Sequence, residues 1–370
     1  MRAPHVILNS VALAAALSLV SCSGAAPAGA GDAELTATVD SLVAAFQRET
    51  YAPGVSVAIV RGGRDTLVLR GYGLADVEND VPATPATVYP IASITKQFTT
   101  AAVMHLVEEN RLALDDSVGR HLPELPAEWR RVRIRHLLNH TSGVPNHPVL
   151  MREEMTPDSV VALAAKSPFE FAPGTQPSYS NVGYLVLGLI IEKVTEQPYG
   201  QYLETRIFRP NGLAATRYCH EEPLIEHRAS GYVRRDTGVV NAPQHSMLPV
   251  FAAGGLCSTV GELAAWNHAL ATGRVVSPAS WDRMTTPEGA AVNYGYGTIS
   301  MTWEGHRMVG HSGALAGFVS ASTYLPDDSL SVTLLTNLGG ESIQELVLEI
   351  VRAALQGSRP RNAEADSADR

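Results

Sequence analysis

The sequence predicts an α+β fold: an antiparallel sheet formed from both chain ends, flanked by terminal helices, with a helical domain inserted over about residues 93–270. Three observations carry this expectation. β-prone runs lie near the two ends, at 55–61 and 66–70 and again at 307–311, 318–325 and 330–337. Between them apolar residues recur mostly at helical spacing, separated by Pro-rich loops. The chain has 370 residues, 45% of them hydrophobic, enough for a large core in one two-lobed unit or two domains. A site is expected in the cleft between the lobes.

In chain order, Arg2 precedes an apolar run over 6–20, interrupted by Asn9 and Ser10. That length is short for a membrane span and suits a signal peptide, so 1–21 is set apart from the fold. The run ends in Leu19-Val20-Ser21-Cys22, which resembles the lipobox of bacterial lipoproteins. The resemblance implies lipidation of Cys22 and an exported, periplasmic or cell-surface protein anchored to a bacterial membrane. The alternative is a plain secreted protein cut after Ala28 or Ala30. Residues 22–33 are rich in Gly, Ala and Pro and read as a flexible tether to a folded domain over 34–357.

That domain opens with a helix over 35–49, its apolar stripe being Leu35, Val39, Leu42, Val43 and Phe46. Gly62-Gly63-Arg64-Asp65 then joins two strands as a hairpin. Pro90 stands just ahead of a helix that runs to Asn110 and buries Ile94, Phe98, Ala101, Ala102 and Leu106. Further helices are expected over 133–140, 157–165, 182–195, 199–207 and 259–270. A last helix over 343–355 precedes a polar tail, 358–370, expected to be disordered. Outside the leader the cysteines are Cys219 and Cys257. In an exported protein they are either bridged or two separate buried thiols. The net charge of −9 argues against a nucleic-acid partner, and Arg130, Arg131, Arg133 and Arg135 read as a solvated face.

Three separated pieces carry chemistry. In Tyr89-Pro90-Ile91-Ala92-Ser93-Ile94-Thr95-Lys96 the spacing puts the Ser93 hydroxyl at a helix N-terminus and the Lys96 amine one turn on, on the same face. That is the minimum kit for a nucleophilic serine. Only Lys96, Lys166 and Lys193 are lysines, which lowers the odds of a chance Ser-x-x-Lys; the bland reading is a helix cap followed by a surface lysine. The second piece is Tyr179-Ser180-Asn181, immediately before an apolar helix, where Asn181 also suits a plain N-cap. The third is His311-Ser312-Gly313 at a strand end, followed by Ala314 and Gly317, where glycine also suits a tight backbone path.

Together, Ser-x-x-Lys, Tyr-x-Asn and a basic residue with Ser and Gly resemble the serine β-lactamase-related family: class C β-lactamases, D,D-carboxypeptidases, and their esterase and D-aminopeptidase relatives. A corresponding motif set is known for class A β-lactamases and penicillin-binding proteins. The resemblance runs from about residue 53 to 337 and includes Gly71-Tyr72-Gly73-Leu74-Ala75-Asp76, Leu137-Leu138-Asn139-His140-Thr141-Ser142-Gly143, Gly254-Gly255-Leu256 and Tyr294-Gly295-Tyr296-Gly297. It implies the β-lactamase/transpeptidase-like fold and an acyl-enzyme on Ser93, with no metal or organic cofactor. Lys96 and Tyr179 would be the other catalytic residues. Asn181, His311, Ser312 and Gly313 would bind or orient substrate, and the backbone N–H groups of Ser93 and Ala314 would form an oxyanion hole.

Free Lys and Tyr titrate near pH 10, so neither is a base at neutral pH unless perturbed, and either serves here if perturbed. True class C β-lactamases carry lysine where this chain has His311, so peptide (D-amino-acid-containing) or ester substrates are expected ahead of β-lactams. His311 is expected to be charged only in part at neutral pH and to bind a carboxylate less firmly than lysine. Two alternatives stand beside this reading: a class C-like β-lactamase, and a non-catalytic penicillin- or peptidoglycan-binding module.

Other patterns fall away. Gly310-His311-Ser312-Gly313-Ala314 nearly matches a nucleophile elbow, but residues 314–325 read as a glycine-containing turn and a strand, and no histidine comes later than His311. His136 and His140 have the i, i+4 spacing of metal ligands, with Leu137 where a catalytic glutamate would stand; packing or loop hydrogen bonding is the better account.

Overall fold

The computed structural model describes residues 30–146, 155–219, 223–236, 238–243 and 246–357. Cys22, the leader, most of the tether and the polar tail lie outside these. The first helix, α1, spans Ala30–Thr50, so the last residues expected in the tether form its opening turns.

A hairpin follows, β1 (Gly54–Arg61) and β2 (Asp65–Asp76). β2 runs six residues beyond the expected strand because it pairs on both sides, with β1 over most of its length and at its end with the short β3 (Val81–Pro82). The helical part contains α2 (Thr95–Glu108), α3 (Ile134–Leu138), α4 (Pro157–Ala164), α5 (Asn181–Thr195), α6 (Tyr199–Leu203), α7 (Phe251–Gly254), α8 (Val260–Ala271) and α9 (Pro278–Thr285). The helix expected over 199–207 changes pitch at Glu204, where a π-helical turn, Glu204–Phe208, takes over. That expected over 133–140 ends at Leu138, since His140 turns left-handed at φ 58. The chain returns to the sheet with β4 (Ile299–Trp303), β5 (His306–Leu315), β6 (Phe318–Leu325) and β7 (Leu330–Thr336), and closes with α10 (Gln344–Gln356).

These strands form one antiparallel sheet in the order β3-β2-β1-β7-β6-β5-β4. The two chain ends meet at its centre, where β1 pairs with β7 from Val55↔Thr336 to Arg61↔Leu330. Alternation along β1 gives the sheet two buried faces. Val55, Val57 and Ile59 join a core with α1 and α10, whereas Ala58 joins the core of the helical domain. In the latter Phe98 of α2 stacks on Trp266 of α8, ring centroids 4.0 Å apart. Such pairs add about 0.5–1.5 kcal/mol beyond area burial.

β5 does not stop at His311 as the sequence pattern suggests. Pairing with β6 continues to Leu315↔Phe318, so His311, Ser312 and Gly313 lie inside the strand. β4, unread in the sequence, pairs with β5 only between His306 and Gly310, leaving residues 311–315 at an open edge. Cys219 and Cys257 form a disulfide with Cα atoms 5.3 Å apart, which settles the choice left open by sequence.

Candidate active site

Ser93 stands in a 3-10 turn, Ala92–Ile94, that leads directly into α2 rather than in the helix itself. The turn is pressed against β5, and the sequence permits that approach at Gly313. A Cβ there would lie 2.4 Å from Ile91 O and 2.9 Å from the Ala92 Cβ. The Ser320 hydroxyl of β6 fixes the same contact by donating to Ile91 O at 2.9 Å. Gly297 plays a similar part beneath α2, at φ 66 and with room for no side chain beside Lys96 O.

Lys96 is fully buried. Its Nζ reaches Ser93 Oγ at 3.1 Å, Asn181 Oδ1 at 2.8 Å and the Ala253 carbonyl of α7 at 2.7 Å. Loss of solvent drives its pKa well below the usual 10.5, because a buried ammonium forfeits hydration. The geometry accommodates a neutral amine. Such an amine has two N–H donors and one lone pair; Asn181 Oδ1 and Ala253 O can only accept, so they take both donors. The lone pair is left facing the Ser93 hydroxyl.

Asn181 reaches Lys96 because it is not the helix cap. Ser180 caps α5, its hydroxyl accepting from Gly183 N at 3.2 Å, while Asn181 is the first helical residue and donates its own N–H to Asn146 Oδ1 at 3.0 Å. Tyr179 hydrogen-bonds Ser93, and the Lys96 amine lies 4.7 Å from the Tyr179 ring centroid. The residue is 40% exposed. Its hydroxyl end is enclosed, however, and desolvation raises its pKa above the ordinary 10.0, so the group is a phenol at neutral pH.

The structure corrects the expectation for His311. Burial pushes its pKa down to about 3, so the ring is neutral rather than partly charged. Both nitrogens are engaged: Nδ1 donates to Ser312 O at 2.5 Å and Nε2 accepts from the Tyr294 hydroxyl at 3.0 Å. A cationic carboxylate clamp is therefore absent at this position. Ser312 and Ala314 are exposed on the open edge and, with Ser93, Tyr179, His311 and Gly313, line one cavity of about 660 Å³. A larger cavity of about 800 Å³, past Leu189, Tyr199 and Phe251, touches none of the site residues expected from sequence.

Several contributors escaped sequence reasoning as individuals. Asn146, the Ala253 carbonyl, His140 and Tyr294 all touch the residues above. His140 packs against Tyr179 with ring centroids 4.2 Å apart and planes tilted by 40°, accepts from Ser180 N through Nδ1 at 3.2 Å, and leaves Nε2 buried without a partner. Burial holds its pKa well below 6.5. His140 and Tyr294 fall in stretches that the family resemblance includes, but nothing in those stretches assigns them a place. His136 accepts instead from Arg133 N at 3.4 Å, so the two histidines do not converge, and no group of three potential metal ligands occurs among the described residues.

The chain is 29% identical over 322 residues to Protein flp of Staphylococcus aureus (strain MW2), covering 84% of this chain and 64% of that protein. It is 28% identical over 344 residues to a D-aminopeptidase of Brucella canis, covering 89% of this chain and 65% of the relative. It thus spans just under two thirds of these curated relatives. The crystal structure of D-amino acid amidase from Ochrobactrum anthropi SV3 superposes with a TM-score of 0.78 at 27% identity, covering 88% of this chain and 98% of that one. A family model described as Beta-lactamase matches residues 39–355, and the chain belongs to that family.

Proposed function

We infer that the protein is a serine hydrolase that works through an acyl-enzyme on Ser93, on amide or peptide bonds of D-amino-acid-containing substrates or on esters. The observation that carries this reading is the fully buried Lys96, its amine 3.1 Å from the Ser93 hydroxyl and its hold on a proton weakened by desolvation. Lys96 takes the Ser93 proton as Oγ bonds to the carbonyl carbon. The oxyanion that forms faces the Ser93 and Ala314 N–H groups, each worth roughly 3–4 kcal/mol in such sites. As the carbon–leaving-group bond breaks, Tyr179 gives its phenolic proton to the departing group and recovers one from the Lys96 ammonium. Water then repeats the sequence in reverse and frees Ser93.

The relatives support the substrate class: one is a D-aminopeptidase, and another an amidase whose crystal holds D-phenylalanine. The neutral His311, which offers no cation to the carboxylate that β-lactams carry, supports amides and esters ahead of β-lactams. Exposure to p-nitrophenyl acetate, followed by intact-protein mass spectrometry, is expected to show one acetyl adduct, lost in Ser93→Ala. An adduct that persists in that variant would falsify the nucleophile assignment, and absence of any adduct favours a binding module. Export and anchoring through Cys22 belong to the same proposal, supported by Leu19-Val20-Ser21-Cys22. Cys22→Ala should move the protein from the detergent phase to the aqueous phase, and unchanged partition sinks the anchor.

A further inference from the structure

The cleft divides at Ser93. One arm, of about 650 Å³, passes Asn146, Asn181, Arg234 and Arg235. The other, of about 660 Å³, passes Tyr179 and the open edge of β5 and continues between the sheet and α10. The register puts Met301 opposite Met308, Ala321 opposite Ser312 and Val319 opposite Ala314. With Val347 and Leu348 of α10, these give the second arm an apolar wall. Glu341 is the one formally charged side chain among the described residues lining it, and it also lines the first arm. Its partner is Arg234 at 3.7 Å, both groups being partly exposed.

Tyr179 decides which half of the substrate enters which arm. A departing alcohol or amine must collect a proton, and the Tyr179 phenol lines the apolar arm but not the other. The apolar arm is therefore the leaving-group side. A carboxylate on the leaving group would meet Glu341 there, with His311 uncharged and no cation on the wall.

We propose that the leaving group seated in this arm is an uncharged apolar alcohol or amine, and that leaving groups bearing a carboxylate are rejected. The proposal rests on the acyl-enzyme reading above. It separates this chain from carboxypeptidase chemistry, in which the released amino acid carries a carboxylate.

Three acetate esters with phenols of closely similar leaving ability test it on the full chain: phenyl acetate, 4-propylphenyl acetate and 3-(4-acetoxyphenyl)propanoate. The propyl ester should exceed phenyl acetate in kcat/KM by about tenfold or more, as burial of three carbons allows. Its carboxylate counterpart should gain nothing over phenyl acetate. Val319→Phe, which narrows the arm, should lower the propyl-to-phenyl ratio; Leu348→Phe addresses the same wall should that variant not fold. Glu341→Gln should raise the carboxylate-to-propyl ratio. Equal turnover of the propyl and carboxylate esters, or ratios unmoved by these substitutions, overturns the leaving-group assignment alone. Failure of all three esters to acetylate Ser93 overturns the acyl-enzyme reading, and this proposal with it.

Discussion

Replacing Gly313 by alanine tests how Ser93 is held. The new Cβ would stand 2.4 Å from Ile91 O, 2.5 Å from Ser320 Oγ and 2.9 Å from the Ala92 Cβ. Carbon contacts are comfortable near 3.5 Å, so the 3-10 turn must retreat by about 1 Å. Rotation of Ser320 gives no relief, since Ile91 O remains in the way and Ser320 is itself bonded to it. Lys96 does not follow the turn, because Asn181 and Ala253 hold it. The 3.1 Å contact between Lys96 and Ser93 therefore lengthens. Overpacking of this kind costs about 1–3 kcal/mol of stability, and a shift of about 1 Å in a reacting group costs on the order of 100-fold in rate. The assay is kcat/KM for p-nitrophenyl acetate at a temperature where the variant is folded, with Tm measured alongside. Gly261→Ala in α8, whose Cβ would meet only Leu69 Cδ1 at 3.8 Å, is the control and should behave as wild type. A Gly313→Ala protein with activity within about threefold of wild type and an unchanged Tm is incompatible with this packing of turn on strand.

Three further outcomes are expected from the same geometry. With neutral Lys96 as base, kcat/KM should rise with pH through a limb lying well below the ordinary lysine range, since burial lowers its pKa; a limb at about 10.4, the unperturbed value, contradicts this. His311 titrates at about pH 3 in the folded chain against an ordinary value of 6.5, so between those pH values the unfolded chain binds more protons. The stability present above pH 6.5 is then lost on acidification, by up to about 1.4 kcal/mol per pH unit, and His311→Gln should flatten that slope in urea titrations. The Cys219–Cys257 bridge closes a sequence separation of 38, so Cys219→Ser/Cys257→Ser should lose about 4 kcal/mol of unfolding free energy in the chain-entropy account. Reduction without change in the denaturation midpoint would count against it.

The sheet strands near both chain ends were legible because their signals are local: apolar runs, a Gly-Gly turn, and a Pro-Asp-Asp-Ser turn between β6 and β7. β4 was not, because Ile-Ser-Met-Thr-Trp acquires its strand character from pairing with β5. The same division runs through the site. Ser93 and Lys96 lie within one turn, so spacing alone placed amine beside hydroxyl. Asn181 and Ser180 both suit a helix cap by type, and only the fold assigns the cap to Ser180 and turns Asn181 toward Lys96. The Ala253 carbonyl meets Lys96 across 157 residues of sequence and carries no residue-type signal at all. Charge was the least readable property. His311 looks like a weak cation by residue type, yet its enclosure leaves it neutral. Lys96 moves in the same way, from the most certain positive charge in the motif to an amine whose proton is loosened by burial. Both changes have one physical cause, exclusion of water from the base of the cleft, and that is a property of packing which no spacing of residues displays.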